Sequence, residues 1–223
     1  MNRVLDMKKL VSSLFSLSLF FAFLLFFQDK LPAKSVAQPI RQDVGEILFL
    51  SPQNYPSIYS VRGDGSGLRK ISRQPLGCVS LSWSPDKKSI VMAIATKVGV
   101  VQKQDVWRYS LAVMNARTGT VRNIKIAGHP DLKTFAPFFA PSGKEILFTG
   151  SARPRFLDLY TVKLDGSNLK QLTKNGLVSS TGRFNPNGKR IVYSEFRNGG
   201  ASISTMDRNG QNVRQLTRNG IKG

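Results

Sequence analysis

Few residues of this 223-residue chain have the types and spacing that catalysis needs. His129 is the single histidine, so two-histidine metal sites are excluded and a Ser-His-Asp arrangement has one candidate base. It lies in Gly128-His129-Pro130-Asp131, which has the composition of a connecting loop. Gly63-Asp64-Gly65-Ser66-Gly67 superficially resembles the Gly-x-Ser-x-Gly nucleophile elbow, but the repeat of this turn along the chain explains it as a strand turn. The sequence therefore predicts no catalytic serine.

Four aspartates recur along the chain at Asp64, Asp86, Asp165 and Asp207. A ring of calcium ligands is one interpretation, but a short acidic side chain in a turn usually accepts hydrogen bonds from its own backbone. We therefore expect turn caps rather than a metal site. The sequence has no glycine-rich phosphate loop, no paired cysteines and no adjacent carboxylate dyad. These observations predict a non-enzyme that uses no cofactor.

The elements that would position any site are repeated hairpins. The segment from Trp83 to Met92 is matched by Phe139 to Phe148 and by Phe184 to Tyr193, with an aromatic, a proline, turn residues, a lysine and β-branched or apolar residues in order. Proline presets φ in a turn, and Asp, Asn or Gly takes its demanding positions. Each copy therefore predicts a strand, a tight turn and a second strand.

A second unit follows each hairpin, with an apolar strand, a turn and a short final strand. Its turn glycines, Gly65, Gly119, Gly166 and Gly210, are 54, 47 and 44 residues apart. This is the period of four-stranded propeller blades, so the sequence predicts an all-β propeller of about four blades. The first blade begins at Glu46 and lacks one strand. Thr96 to Tyr109 is extra and predicts a longer hairpin in the second blade.

The repeats Asp165-Gly-Ser-Asn-Leu-Lys-Gln-Leu-Thr173 and Asn209-Gly-Gln-Asn-Val-Arg-Gln-Leu-Thr217 resemble those of TolB-like β-propeller proteins, over about residues 45 to 217. The resemblance covers the propeller part only, since the α/β domain that precedes it in TolB is absent. It implies a non-catalytic protein that binds a protein partner in the cell envelope, with a role in envelope integrity or transport. A remnant or relative of a propeller lyase or peptidase-associated propeller is an alternative.

The same resemblance leaves the closure of the propeller open, because TolB has six blades. Three interpretations remain: a four-bladed ring with one incomplete blade, an open arc completed by self-association, and a truncated reading frame.

The N-terminus predicts export. Arg3, Lys8 and Lys9 precede an uncharged apolar run from Val11 to Phe27, which is typical of a signal helix. Small residues before Gln38 fit cleavage after Ala37, giving a signal segment 1–37 and a propeller domain 38–223. The run is also near the length that spans a bilayer, so an uncleaved membrane anchor is the alternative to a periplasmic protein. Cys78 is the single cysteine, which excludes an internal disulfide.

The charge favours acidic partners. The net charge is +20, and without residues 1–37, which hold five basic and two acidic groups, it is about +17. Strand parity places the hairpins between second and third strands, and the links between blades, on one face, where cations and aromatics gather. We expect this basic face to bind a protein; an anionic envelope polymer or lipid surface is the alternative, and nucleic acid is disfavoured by export. The candidate partner-binding residues are Lys97, Lys103, Trp107, Arg108, Arg153, Arg155, Phe156, Lys174, Arg197 and Arg218.

Overall fold

The described strands form four small antiparallel sheets. A computed structural model describes residues 45–51, 57–73, 76–102, 104–153, 156–197 and 200–217. All of them belong to the second of two compact units, residues 43–223. The expected signal or anchor segment, 1–37, lies outside the described residues. Within those residues no helix is long and apolar enough to cross a membrane.

Each sheet is a blade in which strands that follow one another along the chain are antiparallel neighbours. The first two blades are built from β1 (Glu46–Leu50), β2 (Ile58–Arg62) and β3 (Arg69–Lys70), and from β4 (Cys78–Trp83), β5 (Ser89–Val101), β6 (Gln104–Asn115) and β7 (Val121–Ile124). Blade 3 contains β8 (Lys133–Phe139), β9 (Glu145–Ser151), β10 (Asp158–Lys163) and β11 (Lys170–Gln171). Blade 4 contains β12 (Val178–Phe184), β13 (Arg190–Arg197), β14 (Gly200–Asp207) and β15 (Arg214–Gln215).

The prediction of an all-β propeller of about four blades is confirmed. The first strands of blades 2, 3 and 4 end at Trp83, Phe139 and Phe184, as the repeat predicts. Blade 1 has three described strands where the others have four. The extra residues of blade 2 extend one hairpin, because β5 and β6 stay paired from Ser89 opposite Asn115 to Val101 opposite Gln104.

The aspartates cap the turns in which they stand. The carboxylate of Asp165 accepts hydrogen bonds from the backbone amide and the hydroxyl of Ser167, at 2.9 and 2.7 Å. Asp64, Asp86 and Asp207 accept amide hydrogen bonds from residues two positions further on. Such local hydrogen bonds satisfy backbone donors that leave the strand ladder. Ser66 of the elbow-like sequence lies in one of these turns, where its amide binds Asp64.

The core lies between the blades. One cluster of buried apolar side chains joins blades 1 and 2 around Ile58 and Met92, and a second joins blades 2 and 3 around Leu111 and Phe148. A third joins blades 3 and 4 around Leu159. Each inner blade therefore contributes one sheet face to each of two clusters. Among the described residues, no such cluster joins blade 4 to blade 1.

Candidate partner-binding surfaces

The predicted site residues that the structure describes lie towards one end of the blades. We call this end the loop face; it carries the β5–β6, β9–β10 and β13–β14 hairpins and the links between blades, and the opposite end is the turn face. Lys97, Trp107, Arg108, Arg153, Phe156 and Lys174 have described side chains. Arg197 ends β13, and its side chain is not described. Lys103, Arg155 and Arg218 lie outside the described residues.

The ribbon, which we define as residues 96–108 of the β5–β6 hairpin without residue 103, carries three of the predicted residues. Lys97 lies opposite Trp107 in the strand register, and Arg108 lies opposite Thr96. The Lys97 ammonium forms an ion pair with Asp105 at 2.6 Å. The Trp107 side chain is 42% exposed. The ribbon therefore presents an accessible indole beside a cation whose charge is already partly balanced.

The ribbon also exposes several apolar side chains between its charged residues. Its exposed apolar side chains besides Trp107 are Val98, Val100, Val101 and Val106. Exposed valines next to an accessible tryptophan are typical of a surface that another molecule covers. The sequence signal for this surface is the apolar run Val98-Gly99-Val100-Val101. Selecting cations and aromatic residues from the sequence misses this run.

A second group of predicted residues lies on blade 3. The Arg153 guanidinium lies over the Phe156 ring, 5.1 Å from its centre, and the Phe156 amide donates a hydrogen bond to the Arg153 carbonyl. Leu157 pairs with Val178 in a single parallel bridge, which brings this hairpin beside the link that contains exposed Lys174. The structure therefore groups a stacked cation and aromatic with one further lysine.

A buried polar cluster fastens that link to blade 4. The Glu195 carboxylate is 3% exposed. It accepts hydrogen bonds from the side-chain amide nitrogen (Nδ2) of Asn175 at 2.7 Å, the Ser204 hydroxyl at 2.9 Å and the Tyr193 hydroxyl at 3.3 Å. A buried carboxylate needs such donors to offset the loss of water. The loop that presents Lys174 is thereby held on a rigid support.

The turn face contains a basic cleft that the sequence pattern does not predict. A cavity of about 580 Å³ lies between blades 1 and 2, and its lining is Arg69, Lys87, Lys88, Asn115, Ala116 and Arg117. The charge of Arg69 is balanced by Glu46, at 2.8 Å. Partial burial alone would raise the pKa of the Glu46 carboxyl, but the Ser60 hydroxyl and the charges of Arg69 and Lys87 hold it below its ordinary value. The remaining three cations make the cleft suited to an anion.

The residues that could suggest chemistry are the histidine and the recurring aspartates. His129 is exposed in the link between β7 and β8, where its amide and carbonyl make turn hydrogen bonds. The described residues contain no group of three or more His, Cys, Asp or Glu side chains that could hold a metal ion.

Comparisons with solved structures identify the fold. TolB from Agrobacterium tumefaciens superposes with a TM-score of 0.61 and 19% identity, over 77% of this chain and 61% of that one. TolB from Acinetobacter baumannii superposes with a TM-score of 0.60 and 23% identity, over 77% of this chain and 40% of that one. A chain of a nidogen/laminin complex superposes with a TM-score of 0.58 and 17% identity, over 78% of this chain and 62% of that one. The described chain therefore has the β-propeller fold that these TolB structures share.

The matched structures are longer than this chain, which spans about two-fifths to three-fifths of their length. No protein-family model and no curated protein matches the chain. Likeness at these identities establishes the fold, whereas function has to be argued from the surfaces.

Proposed function

From the TolB-like propeller fold, we propose that this chain is a non-catalytic, exported protein that binds a protein partner in the cell envelope through its loop face. Export rests on the apolar N-terminal segment, with the protein periplasmic or held at the membrane if that segment is retained. Envelope integrity or transport is the role that the TolB likeness suggests. The partner-binding residues would be Lys97, Lys103, Trp107, Arg108, Arg153, Arg155, Phe156, Lys174, Arg197 and Arg218.

The observation that carries this proposal is the pair of accessible aromatics on the loop face. Trp107 is 42% exposed on the ribbon, and Phe156 is 37% exposed under Arg153. Aromatic and arginine side chains dominate the binding energy of protein interfaces. Aromatic rings do so because they bury a large area with few rotatable bonds. Both stand on hairpins of a rigid sheet, which is how scaffolds usually present recognition residues.

The basic cleft supports a second candidate function, in which the protein holds an anionic envelope polymer or lipid headgroup. Lys87, Lys88 and Arg117 line the cleft without a carboxylate among its lining residues. Electrostatic binding of this kind weakens as salt rises, because the screening length falls to about 3 Å at 1 M salt. The two functions therefore differ in the surface used and in salt dependence.

The test is capture of the tagged, exported chain from cross-linked cells, at low and high salt, with identification of the eluate by mass spectrometry. Under the first proposal Trp107→Ala reduces capture of a defined envelope protein at both salts by about tenfold or more. Val213→Ala is the matched control, because Val213 is exposed on the turn-face side of blade 4 and its loss should leave capture unchanged.

The cleft has its own matched pair of variants. Lys88→Glu with Arg117→Glu reverses two cleft charges, whereas Lys144→Glu with Lys189→Glu makes the same charge change at the positions of Lys88 in blades 3 and 4, both exposed. Loss of a salt-sensitive anionic polymer or lipid in the first double variant alone would establish the second function. A protein that persists at high salt and needs Trp107 would establish the first. Capture that depends on neither surface would refute both.

A further inference from the structure

The interfaces between blades use equivalent positions in each repeat. We call the sheet surface that contacts the following blade the forward face, and the surface that contacts the preceding blade the backward face. In the cluster between blades 3 and 4, Leu147, Leu159 and Leu172 supply the forward face, and Ile191, Tyr193 and Met206 supply the backward face. The clusters between blades 1 and 2 and between blades 2 and 3 contain apolar side chains at the equivalent repeat positions. The described part of the chain thus contains three examples of one interface.

The forward face of blade 4 has the same apolar positions, but no described residue packs over it as blade 4 packs over blade 3. By repeat position and strand register, Val192, Ile203 and Leu216 correspond to Leu147, Leu159 and Leu172. The three leucines of blade 3 are 0%, 0% and 8% exposed, whereas their blade 4 counterparts are 39%, 37% and 51% exposed. Blade 4 therefore presents an uncovered forward face of the kind that blade 3 buries.

The backward face of blade 1 shows the reciprocal difference. Ile90, Ile146 and Ile191 begin the backward faces of blades 2, 3 and 4, and each is 0% exposed. The corresponding residue of blade 1, Ile47, is 52% exposed, and Phe49 on the same face is 39% exposed. Phe49 stacks on Tyr59 with the ring centres 5.6 Å apart, so the two rings form one continuous apolar surface.

The turn glycines show the same difference independently. A Cβ atom at Gly119, Gly166 or Gly210 would meet Arg73, Lys125 or Leu172 of the preceding blade or its link. A Cβ atom at Gly65 of blade 1 would meet nothing within 4 Å. The backbone at Gly65 thus has room for the partner that its three counterparts contact.

We propose that the forward face of blade 4 in one copy of this chain binds the backward face of blade 1 in a second copy. The two surfaces are the matching halves of an interface that the chain itself forms three times, so a second copy supplies the complementary shape. At the rim, Arg208 binds Glu145 at 2.7 Å between blades 3 and 4. The equivalent positions across copies are Gly63 and Arg190, so this ion pair is not repeated there. Asp64, the residue after Gly63, is the acidic side chain that we expect to face Arg190, with the polarity of the pair reversed.

This contact is heterologous, since the two copies contribute different surfaces. After two copies bind, one still exposes a forward face and the other a backward face, so further copies can add. Association of this kind ends only if the copies close a ring and otherwise produces an open chain of subunits. Self-association of this sort uses neither the ribbon nor the basic cleft, so it can fail while the proposed partner binding stands, and the reverse also holds.

Cross-linking between differently tagged chains tests the arrangement. Full-length chains carrying Ile47→Cys under one tag and Val192→Cys under the other are co-expressed and treated with a short bismaleimide. The native Cys78 is 2% exposed, so the unsubstituted chain is the background control. We expect links between positions 47 and 192 on different tags to exceed by at least fivefold the links at 47–47 and 192–192. Predominant symmetric links, links to an unrelated protein, or no links would each overturn the proposal.

Light scattering on the purified full-length protein provides the second measurement. Val192→Asp places a charge on an exposed position of the forward face, so the variant should fold and yet lose the concentration-dependent rise in mass. Val213→Asp makes the same change at a 57% exposed valine of blade 4 that corresponds to Leu169, which packs on the side of blade 2. It should associate as the wild type does. Equal association of both variants, or a wild type that stays monomeric at every concentration, would refute the head-to-tail contact.

Discussion

Thr173 donates a hydrogen bond from its side-chain hydroxyl to the carboxylate of Asp158, at 2.8 Å. The same hydroxyl accepts one from the backbone amide of Leu159 at 3.0 Å, and Asp158 also accepts one from Gln171 at 2.9 Å. Both Thr173 and Asp158 are buried. The hydroxyl thus fastens the end of blade 3 to the start of β10, which gives a physical reason for the Gln-Leu-Thr sequence at the end of a repeat.

Replacing Thr173 by valine keeps the shape of the side chain and removes this hydrogen-bonding group. Leu159 then loses the acceptor of its amide and Asp158 loses one donor, both in a buried site, so we expect the free energy of unfolding to fall by about 1 to 3 kcal/mol. Urea denaturation measures it. Thr217→Val is the matched control, because Thr217 accepts the equivalent Ile203 amide bond in an exposed position, at 2.9 Å, and should cost less than about 1 kcal/mol. Equal losses in the two variants would contradict the explanation.

Lys87 has a left-handed backbone conformation, and glycine occupies the equivalent position in the repeats of blades 3 and 4. Its φ is +56°, and the equivalent Gly143 and Gly188 have φ values of +69° and +70°. A residue with a Cβ atom in this region loses roughly 1 to 2 kcal/mol, which the greater flexibility of glycine in the unfolded chain offsets in part. We expect Lys87→Gly to stabilise the protein by about 0.5 to 1 kcal/mol in thermal or urea unfolding.

Lys87→Ala separates conformation from charge in this experiment. It removes the ammonium group but keeps the Cβ atom, so it should not reproduce the gain. If Lys87→Ala stabilised as much as Lys87→Gly, the relief of charge repulsion in the basic cleft would explain the effect instead of the backbone.

The repeat made the blades predictable, because Pro, Asp and Gly mark each turn and apolar alternation marks each strand. Other features arise only when blades pack together. Ala136 and Thr181 adopt positive φ without a glycine signal, in bulged strands where their amides bind Ser80 and Thr149. Those partners lie far away in the sequence, so local patterns carry no information about them.

The candidate surfaces divide in the same way. Trp107 and Arg153 could be placed on the loop face from strand parity alone. The Lys97–Asp105 ion pair depends on the strand register beyond a bulge between Lys97 and Gly99, which no turn residue announces. The basic cleft joins Arg69 of β3 in blade 1 to Arg117 of the β6–β7 turn in blade 2, so only the packing of the two blades reveals it.

Cys78 should remain unreactive in the folded protein. Burial raises the pKa of its thiol from 9.0 to about 12, and the thiolate is the form that alkylating reagents attack. We expect iodoacetamide at pH 8 to label Cys78 only when urea unfolds the chain. The control is Cys78→Ser with Val79→Cys, since Val79 is the next residue and is 48% exposed; that thiol should react without urea. Labelling of native Cys78 at the same rate would contradict its burial.

The same shift predicts a loss of stability in alkali. Below pH 9 the thiol is protonated in both states and contributes no pH dependence. Between pH 9 and about 12 the unfolded chain releases the proton while the folded chain keeps it, so the free energy of unfolding falls as pH rises. Cys78→Ala lacks this contribution. The difference between the two proteins in denaturation midpoint should therefore change over this interval, and a constant difference would argue against it.

The turn aspartates predict the opposite behaviour in acid. Hydrogen bonds from the hydroxyl and then the amide of Ser167 hold the pKa of Asp165 below its ordinary value of 3.8. A carboxyl with a lowered pKa in the folded state stabilises that state above the unfolded value, and the contribution is lost as pH falls through the folded value. Asp165→Asn lacks the charge at every pH. We expect the wild type to have the higher melting temperature at pH 7, with the gap closing below about pH 3.8. Asp131→Asn, in the link between blades 2 and 3, is the matched control. A gap for Asp165→Asn that stayed constant down to pH 2, or an equal and equally closing gap for Asp131→Asn, would show that turn capping does not stabilise the fold.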